Sequence, residues 1–343
     1  MLKRVFLLLF TVLILLSGCK KDIHEKEDVP ALKTEADLNV TFIDVGQADA
    51  ALVSCDGHYM LIDGGNVEDS SRIAAILKKR NVDYIDVIIG THAHEDHIGG
   101  LSGALSVADA GRVICPVLEY DSSAFENFKR YAEEKGEGVT LPSVGETFYI
   151  GDAEVTILGP IRDYDDTNNT SIIVKIVHGQ NSFLFTGDAE RDAEIDLIES
   201  GTDLSADVLK VGHHGSETSS SYRFIREVMP SLAVISVGTG NSYGHPHEEV
   251  LSRFEDADAT ILRTDRLGDI TVTSDGKEIK WSSDKSDTAP VEEESGLYIG
   301  NIKSKVFHKE SCTSLPAEYN RIYFSTRDEA VTADYKPCSR CKA

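Results

Sequence analysis

Thr91-His92-Ala93-His94-Glu95-Asp96-His97-Ile98-Gly99-Gly100 places three histidines and two carboxylates within six residues, His92 to His97. The stretch before it, Ile85-Asp86-Val87-Ile88-Ile89-Gly90, is mostly apolar and ends in glycine, which reads as a buried strand. The cluster then sits on the loop leaving a core strand, where a rigid element can aim several side chains at one point. His92 and His94 are two apart and project from the same side of an extended segment. Asp96 and His97 follow once the chain turns. Neutral imidazoles and carboxylates together suit Zn, Mn or Fe.

Outward from this loop the same arrangement recurs. Leu38-Asn39-Val40-Thr41-Phe42-Ile43-Asp44-Val45 carries the β-branched signature of a strand, and Gly46 to Ala50 turns it into the next. His58 to Gly65 is a further strand, closing on a double glycine. Asp63, near its end, either supports the histidine loop from behind or caps the following turn. Asp69 to Arg80 reads as a helix with Ile73, Ile76 and Leu77 on one face. Ser171 to Val177 and Ser182 to Phe185 flank Gly179-Gln180-Asn181 as a hairpin. The hairpin ends Phe185-Thr186-Gly187-Asp188, where Asp188 is placed to bridge two metals, to cap the next helix, or both. Asp207-Val208-Leu209-Lys210-Val211-Gly212-His213-His214-Gly215-Ser216 again delivers histidines at a strand end, and Tyr243-Gly244-His245-Pro246-His247 follows the strand Leu232 to Val237. In a layered α/β fold such ends gather on one edge of the sheets. The isolated His58 and His178 read as structural.

The His92-x-His94-x-Asp96-His97 pattern resembles that of the metallo-β-lactamase superfamily. With Phe42 to Ala50, Thr186-Gly187-Asp188, Lys210 to Ser216 and Tyr243-Gly244-His245-Pro246, it looks like one branch of it, the extracellular hydrolase domain of the competence DNA-uptake channel. Teichoic-acid phosphorylcholine esterases are similar. The resemblance covers roughly Leu38 to Trp281 and implies an α/β fold, the αβ/βα metallo-β-lactamase sandwich. It also implies two divalent metal ions, Zn or Mn. His92 and His94 would hold one and Asp96 and His97 the other, with Asp188 between them and His213 and His214 as further ligands. Many superfamily members supply a third histidine to the first metal. Here that region reads Asp165-Asp166-Thr167-Asn168-Asn169-Thr170-Ser171, as is usual in this branch, and leaves the first metal with fewer protein ligands. Two cations about 3.5–4 Å apart lower the pKa of a shared water toward neutrality and offset charge developing on phosphorus. Asp96, His214 and His245 are the catalytic candidates. His245, or one of His213 and His214, would protonate the leaving oxygen; the sequence leaves open which is ligand and which is acid.

The chain has 343 residues, 41% of them hydrophobic, enough for one large domain and something small. Its net charge of −24 argues against loose, charge-driven DNA binding. The leader carries +2 and residues 297–343 carry +3, so the stretch between them stands at −29. An anionic substrate can still approach, because metal ions dominate their local field.

At the N-terminus Lys3 and Arg4 precede a twelve-residue apolar run, Val5 to Leu16, broken only by Thr11 and ending Leu16-Ser17-Gly18-Cys19. This is a charged n-region and a short h-region followed by what resembles a bacterial lipobox. Residues 1–19 are expected to be a lipoprotein signal peptide, with Cys19 lipidated, and 20–36 a flexible tether. The protein would then be extracytoplasmic and lipid-anchored to the cell membrane. Residues 37–282 form the hydrolase domain and 283–296 a Ser, Asp, Glu and Pro-rich linker. Residues 297–343 hold His308, Cys312, Cys338 and Cys341, a Cys3His set fitting a closed structural zinc site. So short a segment cannot build much core, and a metal staple is physically expected. A disulfide among the same cysteines is the competing reading, since the compartment is oxidising. The segment resembles the metal-binding domain of the Ada DNA-repair protein, with His308 in place of the first cysteine, and so implies a small zinc-stapled α+β module. The function expected is a surface-anchored, metal-dependent phosphodiesterase acting on DNA, with wall polymers as the alternative. A non-catalytic metal-binding lipoprotein that binds DNA or polymer is a third reading. Competence or cell-envelope proteins are the expected partners.

Overall fold

Alternation along the strands decides the layering. In Ala50–Cys55, Ala51, Val53 and Cys55 enter one apolar cluster while Ala50 and Leu52 enter another. In Asn181–Phe185, Phe183 and Phe185 face that same first cluster and Leu184 faces away. This is the period of two that an extended chain imposes. It yields two sheets sharing a central core, each with a second apolar face that helices must cover. The structure is a computed structural model describing residues 37–285, 298–310, 312–325, 327–338 and 340–341. The expected signal peptide with Cys19, the tether and most of the linker lie outside the described residues.

The first sheet has eight strands, in the order Ile279–Ser283, Ile270–Ser274, Leu38–Phe42, Ala50–Cys55, His58–Gly64, Tyr84–Ile89, Asp109–Ile114 and Val139–Thr140. The second has seven, in the order Thr260–Arg263, Leu232–Ile235, Val208–Lys210, Asn181–Phe185, Ile173–His178, Ala153–Gly159 and Thr147–Ile150. Phe42 and Phe185 stack between the sheets with centroids 5.7 Å apart. Truncating either to alanine would cost about 3–5 kcal/mol. The helices Ser70–Lys79, Leu101–Leu105 and Ser123–Lys135 cover the first sheet through Ile73, Leu101 and Phe128. Arg191–Glu199, Tyr222–Val228 and Glu248–Glu255 cover the second through Leu197, Phe224 and Phe254. This is the expected αβ/βα sandwich.

Chain direction then fixes where the site must be. His58–Gly64, Tyr84–Ile89 and Asp109–Ile114 run parallel, as do Asn181–Phe185, Val208–Lys210, Leu232–Ile235 and Thr260–Arg263. Parallel strands deliver their C-terminal ends to one edge of a sheet, where α/β folds build their sites. Asp96 and His97 lie in a one-turn helix, Glu95–Ile98, so the histidine stretch is part loop and part helix. A Cβ on Gly100 would collide with the Gly64 carbonyl, so only glycine lets this turn lie against the strand end that carries Asp63.

The strand Ile279–Ser283 runs one residue into the stretch expected as linker. Beyond it a four-stranded sheet has the order Arg321–Phe324, Tyr298–Asn301, Val306–Lys309 and Lys336–Pro337, accompanied by the helix Arg327–Thr332. Its core is small: Tyr298, Phe307, Phe324, Ala330 and Tyr335. Among the described residues no helix is long and apolar enough to cross a membrane.

Candidate metal centre

Asp96, His97, Asp188 and His214 each offer a ligand atom within 4.8 Å of the others. Three separate segments bring them there: the helix Glu95–Ile98, the chain after Asn181–Phe185 and the turn after Val208–Lys210. His97 Nε2 lies 3.3 Å from Asp188 Oδ2, and His214 Nε2 lies 3.6 Å from Asp188 Oδ2 and 3.4 Å from Asp96 Oδ2. His97, Asp188 and His214 are buried.

The far side of each ring decides what its near side presents. His97 Nδ1 faces the Asp63 carboxylate at 2.8 Å, so the proton sits there and Nε2 carries a lone pair. Asp63 is itself held by the Thr91 N–H at 2.7 Å and the Thr91 hydroxyl at 2.8 Å. Its role is therefore support of the histidine stretch. His214 Nδ1 donates to the Ser236 carbonyl at 3.1 Å, with Asp49 Oδ1 beside it at 3.2 Å, and again the Nε2 lone pair faces the cluster. The Thr91 hydroxyl gives its proton to Asp63, so it can only accept from His92 Nδ1, 3.3 Å away. His92 Nε2 then points its lone pair at His94 Nδ1, 3.0 Å distant.

These donors fit metal ions. His97 Nε2, His214 Nε2 and Asp188 Oδ1 are buried with no hydrogen-bond partner, and leaving such atoms unpaired is costly unless a cation meets them. The His92 and His94 nitrogens are spaced close to the roughly 3.3 Å that two ligands of one tetrahedral zinc would keep. The charges agree. Burial opposes ionisation of Asp188, but His97 and His214 outweigh it and hold the carboxyl well below its usual range. Burial likewise opposes protonation of His97 and His214, yet Asp188 with Asp63 raises the first well above its usual range and Asp188 with Asp49 raises the second to about 10. Each Nε2 lone pair thus takes up a proton where no cation meets it. The cluster therefore demands positive charge.

His213 and His214 part company. His213 Nδ1 turns to Glu190 Oε1 at 3.3 Å and Thr218 Oγ1 at 3.2 Å, and its Nε2 stands 3.8 Å from Asp188, outside the converging four. Both residues have positive φ, 51° and 53°, strain of order 1–3 kcal/mol each that the surrounding structure must sustain. His245 is also apart from the donors; its ring lies 5.7 Å from that of His213 and 6.5 Å from that of His214. Burial and the His247 and His213 rings push it down to about 4. A cleft of about 930 Å³ opens over the cluster, lined by Asp96, Asp188 and His214 and also by Gln47, Asn168 and Tyr243.

The asparagine-rich stretch is support. Asn169 Oδ1 accepts from the Glu190 and Ala193 N–H groups at the start of the helix Arg191–Glu199. Ser171 Oγ accepts from Asp188 N at 3.0 Å and lies 3.4 Å from His92 Nδ1. Sequence reasoning passed over Asp49, Lys210 and Gln47 as individual residues. A lysine within the apolar run Asp207 to Val211 was the available signal.

In the C-terminal module the cysteines are free thiols, so the disulfide reading does not describe the structure. His308, Cys312, Cys338 and Cys341 offer ligand atoms within 4.8 Å of one another. Burial opposes the Cys338 thiolate, but the N–H groups of Cys341 and Arg340 prevail and lower its pKa. A thiolate-rich set of four suits zinc.

Comparison with known proteins agrees with this geometry. Residues 43–239 match the metallo-beta-lactamase superfamily, and residues 292–343 match the metal binding domain of Ada. The chain is 30% identical over 260 residues to ComE operon protein 3 of Bacillus subtilis (strain 168), covering 70% of this chain and 33% of that protein. It is 30% identical over 241 residues to competence protein ComA of Neisseria gonorrhoeae, with 70% and 33% covered. The chain thus spans about a third of the length of these curated relatives. Among solved structures, the metallo-beta-lactamase fold protein YhfI from Bacillus subtilis is 12% identical with a TM-score of 0.45, covering 71% of this chain and all of that one. By its residues 43–239 the chain belongs to the metallo-β-lactamase superfamily, whose members are metal-dependent hydrolases, and it carries an Ada-type metal-binding domain after it.

Proposed function

We propose that this protein is a binuclear metal-dependent phosphodiesterase, anchored outside the cell membrane by lipid on Cys19, with DNA first among its substrates. The observation that carries the reading is the convergence of the unpaired His97 Nε2, His214 Nε2 and Asp188 Oδ1 beside the His92–His94 pair, beneath an open cleft. His92 and His94 would hold one ion, Asp96, His97 and His214 the other, with Asp188 between. Zn or Mn suits these ligands. When bound, such ions supply a water of lowered pKa and offset the charge of the transition state. The chain's own work is positioning. Asp63 and Ser236 fix the His97 and His214 tautomers, and the cleft admits a phosphodiester from solvent. His213, half outside the cluster with Glu190 behind it, is placed to move a proton.

DNA is put first because the matched relatives are named for competence. A wall phosphodiester is the second reading. Glu68 and Glu95 line the cleft, and they disfavour a polyanion more than a substrate bearing its own positive group. The Cys3His set would hold a structural zinc, and competence or envelope proteins would be the partners. The deciding experiment gives metal-loaded protein single-stranded DNA, a teichoic-acid polymer and an aryl phosphodiester, with and without chelator. Chelator-sensitive cleavage of DNA supports the first reading, and cleavage of the polymer alone supports the second. No cleavage of any of them leaves a metal-binding protein without hydrolase activity.

A further inference from the structure

His245 is gripped from three directions. The Asn241 side chain accepts from its N–H at 3.0 Å and donates to its carbonyl at 2.6 Å, while also donating to the Gly238 carbonyl at 2.9 Å. Tyr243 stacks on its ring at 5.6 Å and 25°, and the His247 ring meets it edge-on at 4.8 Å. Gln47 reaches its Nδ1 at 3.3 Å, from a turn 198 positions away.

The Gln47 contact has only one polarity. The Gly238 N–H donates to Gln47 Oε1 at 3.2 Å. A backbone N–H cannot accept, so the amide oxygen must face Gly238 and the amide NH2 must face His245. His245 Nδ1 is then an acceptor, and its ring proton resides on Nε2. The contact also needs a glycine at 238, because a Cβ there would come within 2.6 Å of Gln47 N. His97 and His214 are held the other way round, with the proton on Nδ1 and a lone pair on Nε2. Acceptors behind these two rings turn an Nε2 lone pair toward the converging donors. The donor behind His245 makes it something else.

We propose that Gln47 sets His245 in the Nε2–H tautomer, so that the ring enters the cleft as a neutral hydrogen-bond donor to a phosphoryl oxygen and not as a metal ligand. Gln47 is the positioning residue, and Asn241 holds the backbone that carries the ring. No bond is made or broken in this step; the donor steadies an oxygen whose charge grows in the transition state. The identity of that oxygen rests on the phosphodiesterase reading, but the tautomer does not.

Ring nitrogen correlations from ¹⁵N-labelled, metal-loaded protein test this. His245→Ala identifies the signal by removing it. The wild-type ring should show a protonated Nε2 and a bare Nδ1, and His245→Ala should retain the wild-type metal content. Gln47→Glu keeps an oxygen for Gly238 but puts an acceptor opposite Nδ1. It should move the proton to Nδ1 and lower kcat on an aryl phosphodiester by about tenfold to a hundredfold, with KM changing less. A wild-type ring protonated on Nδ1, a lost metal ion in His245→Ala, or an unmoved proton in Gln47→Glu would each overturn the proposal. If the wild-type protein cleaves no phosphodiester, the functional reading fails, while the nitrogen signals and metal content still decide this one.

Discussion

Lys210 Nζ stands 2.7 Å from Asp49 Oδ2, with both side chains almost wholly buried. Lys210 belongs to a strand of the second sheet and Asp49 to the turn after the first strand of the first, so the pair ties the sheets at the edge that carries the site. Lys210 also donates to the Val211 carbonyl at 2.9 Å. Burial works against the Asp49 charge, but Lys210 and His214 overcome it and hold the carboxyl below its usual range. Asp49 in turn lies behind His214, so this ion pair is part of how a cluster ligand is aimed.

Such a pair adds little when intact and costs much when halved. Lys210→Met should therefore destabilise the fold by about 3–5 kcal/mol. The double variant Lys210→Gln with Asp49→Asn should lose less than the two single changes together. Urea unfolding reads both, and strictly additive losses would show that the pair is not coupled.

Asp63 orients His97 without reaching the converging donors itself. Asp63→Asn should weaken metal affinity about tenfold to a hundredfold, the usual effect of losing a carboxylate behind a ligand histidine. A competition titration with a chromophoric chelator measures it. Wild-type affinity in the variant would contradict the tautomer argument for His97.

Glu194 is buried in the helix Arg191–Glu199, and its carboxylate accepts from the Ser220 and Ser221 N–H groups. Burial nevertheless outweighs these bonds and raises its pKa above 4.5. A raised folded-state pKa contributes stability that is present below the unfolded value and lost as pH rises through the folded one. Glu194→Gln cannot ionise. Its stability relative to wild type should improve between about pH 4 and about pH 7. Urea midpoints at both ends check this, and a difference that moves toward wild type would refute the sign.

Among the described residues the core of the C-terminal sheet is Tyr298, Phe307, Phe324, Ala330 and Tyr335, with Cys341 packed against it. Cys312→Ser should remove one equivalent of zinc and speed amide exchange at Phe307 and Phe324. Unchanged exchange in protein lacking that zinc would mean the small core holds the sheet unaided.

Part of this was legible in the sequence and part was not, for a physical reason. His92 to His97 could be read because their donors are contiguous and follow an apolar strand. Asp188, His213 and His214 could be read because the same strand-end pattern recurs. The division between His213 and His214 depends on which backbone carbonyl and which carboxylate lie behind each ring. Gln47 meets His245 across 198 positions and Lys210 meets Asp49 between two sheets, so neither pairing leaves a periodic trace. Asp63 could be suspected, but only the 2.8 Å approach to His97 separates support from a turn cap.

The central claim is that Asp188 and its neighbours hold metal ions that cleave a phosphodiester. The most direct measurement pairs elemental analysis with hydrolysis of a fluorescent single-stranded oligonucleotide, for wild type, Asp188→Ala and Asp96→Asn. The wild type should bind two ions in this centre beyond the zinc of the C-terminal module, and cleave with chelator sensitivity. Asp188→Ala should lose occupancy of both, and Asp96→Asn should lower turnover about a hundredfold or more. Full metal content in Asp188→Ala, or cleavage that survives chelation, would contradict the account.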